Sequence, residues 1–115
     1  KKSQLKQQEW KAQLEATEAN YEWTKNAFDL QIESEIENLR SDIALYNSFT
    51  DLLKTNERFY QETVRRYKEG MSNYIELLDA RTEVTSTQLE QNLAKYQSWI
   101  RHINIERMAA STSIE

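Results

Sequence analysis

One glycine, Gly70, and no proline punctuate the whole of this 115-residue chain. Few folds survive that restriction. Glycine enters the left-handed backbone region at little steric cost and is the usual residue just past a helix end, so a lone glycine between two long helical patterns marks a reversal. The spacing predicts an all-α chain, a long antiparallel two-helix coiled-coil hairpin: a helix over about 3–68, a turn at 69–72 and a helix over about 73–110.

Apolar residues before the glycine run Leu5, Trp10, Leu14, Tyr21, Phe28, Ile32, Ile36, Leu39, Ile43, Tyr46, Phe49, Leu53, Tyr60, Val64 and Tyr67, mostly in steps of three, four or seven. A repeat averaging near 3.5 keeps one seam facing a partner helix. A helix of about 65 residues is a rod of roughly 100 Å at 1.5 Å per residue. Asn47-Ser48-Phe49-Thr50-Asp51 gathers residues that favour turns and caps, yet the steps 43, 46, 49, 53 cross it in phase. Continuity is expected there. A break at that point gives the alternative reading, a spectrin-like three-helix module with a purely structural role.

Arg65, Arg66 and Lys68 sit in the last turn before Gly70, where cations complement the exposed carbonyls. Past the turn, Ser72 or Asn73 is placed to cap the next helix, with Glu76 three residues beyond Asn73. The apolar stripe of that helix is read as Ile75, Leu78, Leu89, Leu93, Tyr96, Ile100, Ile103 and Met108, with Thr82 and Thr85 making its middle polar. A second helix of about 38 residues pairs with roughly Ile32 to Tyr67. The first 30 residues then carry Leu5, Trp10, Leu14, Tyr21, Trp23 and Phe28 without an internal partner, which implies an oligomer.

Charged residues make up 30% of the chain at a net charge of −4, which argues against a phosphate-binding surface and hence against nucleic acid. There is no cysteine, so thiolate chemistry and disulfides are excluded, and no apolar run of about 18 residues could span a bilayer as a helix. His102 with Glu106 four residues on offers two ligands where a metal site needs three or four, so no metal is expected. Glu76 and Asp79 share a helix face with Glu83 above them, but no second group accompanies them for acid-base work. Neither a nucleophile constellation nor a glycine-rich phosphate loop is present, so the chain is read as a non-enzyme without a cofactor. Trp10, Trp23 and Trp99 read as packing anchors.

Around the glycine, Tyr67-Lys68-Glu69-Gly70 and Glu76-Leu77-Leu78-Asp79-Ala80-Arg81, with the late run Ala94-Lys95-Tyr96 to Met108-Ala109-Ala110, resemble the periplasmic helical hairpin of the TolC-like outer-membrane efflux family. The resemblance covers Ala27 to Ala110, and its distinctive elements are Tyr-x-x-Gly and Leu-Asp-Ala. It implies a hairpin from the α-helical tunnel of a trimeric outer-membrane channel of a Gram-negative bacterium. In the parent protein the segment lies in the periplasm, and membrane contact comes only through barrel parts outside this chain. The resemblance also implies that the tip, Tyr67, Glu69, Gly70, Met71 and Ser72, docks a periplasmic adaptor (membrane fusion) protein that links the channel to an inner-membrane transporter. Glu76 and Asp79 fall where acids ring and narrow the tunnel mouth. Ser72 stands where some relatives carry a basic residue that tethers the closed mouth.

Overall fold

The structure is a computed structural model that describes residues 2–113. It consists of α1, Lys2–Lys68, and α2, Tyr74–Ser113, joined by a five-residue turn and packed antiparallel into a rod of 102 × 18 × 16 Å. The all-α hairpin expected from the lone glycine is what forms. Helix α2 begins at Tyr74 and runs to Ser113, so it ends three residues later than the expected 110.

Helix α1 is unbroken through 47–51. Ser48 and Thr50, which in other settings would compete for the backbone and favour a turn, donate their hydroxyls to the carbonyls of Ala44 and Tyr46 one turn back, at 3.0 Å each. The hydroxyls are satisfied without opening the helix, and the three-helix arrangement does not form.

The seam between the helices differs from the expected one on α2. Its inward residues are Leu77, Ala80, Val84, Thr87, Gln91, Ala94, Ser98, Arg101, Ile105, Met108 and Thr112, an unbroken alternation of steps of three and four. Ala80 and Ala94 are only 2% and 4% exposed, and Thr87 is buried with them. Of the apolar stripe read from the sequence, only Met108 lies in this seam. Leu89, Leu93, Tyr96, Ile100 and Ile103 each sit two residues beyond a seam residue, about 200° around the helix, and point away from α1. Leu93 and Ile100 are 59% and 61% exposed. Thr82 and Thr85 lie on that outward side too, not in the seam. The physical reason is the small-residue line on α2: Ala80, Thr87 and Ala94 let the backbones approach, and larger side chains from α1 fill the space. On α1 these are Phe28, Ile32, Leu39, Tyr46, Phe49, Leu53 and Tyr60, all half-buried.

Polar cross-links fix the register. Asn56 donates to the Thr87 hydroxyl at 2.8 Å, and Gln91 donates to the Thr50 hydroxyl at 3.0 Å. Arg101 donates through Nε to Asp42 at 2.5 Å and through a terminal nitrogen to Glu35 at 2.9 Å. Hydrogen bonding to Asp42 and then to Glu35 raises the Arg101 pKa further above its ordinary value. The buried threonines Thr63 and Thr87 also donate to Phe59 and Glu83, so every buried side-chain polar atom among the described residues has a partner.

At the open end of this seam, Ser111 and Thr112 reach a groove lined by Tyr21, Thr24, Lys25 and Phe28. Pairing therefore extends about three turns further along α1 than Ile32, to Tyr21, and Phe28 is half-buried. Leu5, Trp10, Leu14 and Trp23 stay exposed. Because the seam is built on small residues, Ala94→Leu should overpack it and cost about 1–3 kcal/mol. Leu93→Ala, one residue away, should change stability in dilute solution by no more than about 0.5 kcal/mol, as surface substitutions do; urea unfolding followed by circular dichroism measures both.

Candidate functional site

The tip is built by complementary caps on its two sides. Gly70 has φ of 76°, the left-handed value that favours glycine. Its N–H donates to the Tyr67 carbonyl at 3.1 Å and the Met71 N–H donates to the Arg66 carbonyl at 2.7 Å, the paired bonds of a Schellman motif. On the far side the Asn73 side-chain oxygen accepts the Glu76 N–H at 2.8 Å, so Asn73 is the N-cap. Ser72 does not cap the backbone but donates its hydroxyl to the Glu76 carboxylate at 2.6 Å. Helix C-cap, turn and helix N-cap thus follow one another without a slack residue.

The expected docking residues gather at this end. Tyr67, Glu69, Gly70 and Met71 are exposed, Met71 at 62%, while Ser72 is half-buried by its bond to Glu76. Glu76 and Asp79 are both exposed in the first turns of α2. Glu76 is held against the helix N-terminus, where its charge also favours the macrodipole; Asp79 sits nearly one turn further along the helix. Tyr74, which is not among the residues expected at the tip, lies there with them. It packs on Tyr67 with ring centroids 6.4 Å apart and planes at 59°, so two aromatic rings and Met71 give the tip an exposed apolar cap. The recoverable signal was a tyrosine on each side of the glycine, seven residues apart.

Behind the tip, Arg65 does more than face the helix end. It pairs with Glu62 and donates to both carboxylate oxygens of Glu69, at 3.0 and 2.9 Å. The bond from Arg65 holds the Glu62 carboxyl below the usual carboxylate range, and the bond to Glu62 raises Arg65 in turn. Arg66 reaches across the turn to the Met71 carbonyl at 3.5 Å. These contacts lace the last turn of α1 to the loop.

The second feature is the outward side of α2, where Leu89, Leu93, Tyr96, Ile100 and Ile103 form an exposed apolar strip. Tyr96 and Trp99 meet edge to face at 6.3 Å within it, and the Lys95 ammonium lies 5.7 Å from the Trp99 ring centre. A groove of about 330 Å³ runs beside it, lined by Leu39, Ile43, Tyr46, Lys95, Ser98, Trp99 and His102. His102 faces Glu106 at 3.0 Å, and no cluster of three or more potential metal ligands exists among the described residues. Nor is any helix among them long and apolar enough to cross a membrane. No family model matches the chain, and no match to it is found among curated proteins or solved structures.

A Cβ placed on Gly70 would meet no atom within 4 Å, so the demand for glycine there is one of backbone conformation alone. Gly70→Ala should therefore cost about 1 kcal/mol from the left-handed conformation, and Gly70→Asn less, since asparagine tolerates that region. Equal losses in urea unfolding would point to a steric cause instead.

Proposed function

We propose that this chain is a wall segment of the periplasmic tunnel of a TolC-like, trimeric outer-membrane efflux or secretion channel, acting as a conduit and not as a catalyst. The observation that carries the reading is the apolar edge of α2. Helix α2 buries Ala80, Thr87 and Ala94 most deeply against α1, while Leu89, Leu93, Tyr96, Trp99, Ile100 and Ile103 of the same helix stay exposed in the single hairpin. A rod 102 Å long that carries such a strip on one helix calls for a neighbour beside that helix, as a tube wall provides.

The tip supports the same reading. A rigid, capped reversal with a small exposed residue at its apex lets another helical hairpin approach closely, and Tyr67, Met71 and Tyr74 give it apolar contact area. The occupant is a periplasmic adaptor protein, which connects the channel to an inner-membrane transporter. Glu76 and Asp79 line the tunnel mouth, where carboxylates favour cations over anions.

Gly70→Asp should abolish capture of the adaptor in a pull-down while helicity by circular dichroism is retained, and undiminished capture would remove the tip assignment. In the parent channel, Glu76→Gln with Asp79→Asn should lower cation selectivity in single-channel recordings; selectivity equal to that of the wild type would take these two residues away from the mouth.

A further inference from the structure

The groove between Leu39, Ile43 and Tyr46 of α1 and Lys95, Ser98, Trp99 and His102 of α2 is walled by both helices. The surfaces around Trp10 and around Leu78 to Leu89 are each built by one helix alone. Ser98 is the small seam residue at this level, so the space that a larger side chain would fill stays open. Its hydroxyl is already spent on the Ala94 carbonyl at 2.9 Å. What remains is about 330 Å³ with apolar and aromatic walls, Tyr46 supplying a ring from α1 and Trp99 a ring from α2.

The charge at this groove is one-sided. The chain carries 19 acidic residues, yet none is among the seven that line the groove. Lys95 has no ion-pair partner among the described residues, and no Asp or Glu lies three or four residues from it along α2. Asp42, next to Ile43 in the chain, is committed to Arg101. His102 is held by Glu106 at 3.0 Å, which leaves Lys95 as the cation free to meet a ligand.

We propose that this groove binds a small aromatic anion, its ring system lying against Ile43, Tyr46 and Trp99 and its carboxylate or sulfonate reaching Lys95. An unpaired ammonium beside an apolar wall selects the sign of the ligand's charge, because its attraction is screened less there than in open water. The two rings select a flat aromatic body, which they can meet edge to face or offset. The volume sits at the low end of the ~300–1,000 Å³ that small-molecule pockets occupy, so the ligand is about the size of a naphthalene acid. The walls are held in place beforehand: Arg101 with Asp42 and Gln91 with Thr50 fix the seam under and beside the groove, which lowers the ordering cost of binding. The proposal does not rest on the channel reading, since binding is measured on this chain alone.

The probe is anilinonaphthalenesulfonate, titrated into the full chain carrying Trp10→Phe and Trp23→Phe, so that Trp99 is the one tryptophan left to report energy transfer. Binding with a Kd on the order of 10–100 μM is expected, a range open to a ligand of this size. Lys95→Gln should weaken it on the order of tenfold, as loss of a charge-assisted contact does, and Lys95→Arg should restore it, helicity being unchanged. Phenylnaphthylamine, which has the same rings without the sulfonate, should bind on the order of tenfold more weakly and be indifferent to Lys95→Gln. Leu93→Ser, on the exposed strip of α2, should leave the Kd of the sulfonate as it was. No quenching of Trp99 at about 1 mM probe overturns the proposal, as does equal binding by wild type and Lys95→Gln. Binding lost in Leu93→Ser but kept in Lys95→Gln puts the probe on the strip and overturns it too. Laurate displacing the probe as well as naphthoate does would overturn the choice of an aromatic ligand.

Discussion

The arrangement depends on one constraint: α2 turns its small and polar residues to α1. Arg101 grips Asp42 and Glu35, Asn56 bonds Thr87, and Gln91 bonds Thr50, so the rotation of α2 about its own axis is set by directional contacts. Apolar packing alone would accept more than one rotation. Groups removed from water must keep their partners, and turning α2 by half a revolution would carry Arg101 out to solvent and leave the Asp42 carboxylate in the seam without it. Once that rotation is fixed, Leu89, Leu93, Tyr96, Ile100 and Ile103 can only face outward.

The same seam explains why two helices of unequal length make a useful rod. Over its paired length α1 receives register from α2, and the Schellman turn and Asn73 cap hold the reversal without slack. The tip is therefore a stiff end rather than a mobile loop, and an exposed Tyr67, Met71 and Tyr74 are presented in a defined geometry. Preorganisation of this kind lowers the ordering cost of docking. Exposed ion pairs such as Arg40 with Glu37 add little to this, because solvent screens them.

Much of the architecture was legible in the residues. Gly70 stood alone, so its left-handed turn could be placed to the residue, and the phase of Ile43, Tyr46, Phe49 and Leu53 carried α1 correctly past Asn47 to Asp51. The rotation of α2 was not legible by hydrophobicity. Two stripes interleave on it with the same spacing, and the more apolar one faces away from α1. The line Ala80, Thr87, Ala94 at intervals of seven was the available sign of close packing. Arg101 could not be recognised as a seam residue, because its partners Asp42 and Glu35 are far away in the chain and meet it only after the hairpin closes. Likewise Ser72 and Asn73 were interchangeable as caps until the Glu76 N–H chose Asn73.

The measurement that bears most directly on the seam is cross-linking within one chain between paired cysteines. Asn56 and Thr87 touch across the helices at 2.8 Å, whereas Leu89 lies on the opposite side of α2. With Asn56→Cys and Thr87→Cys together, a short bis-maleimide in dilute solution should bridge the two helices within a single chain. Asn56→Cys with Leu89→Cys should not be bridged. If the second pair cross-links and the first does not, α2 packs through its apolar stripe, and both the polar seam and the outward edge are wrong.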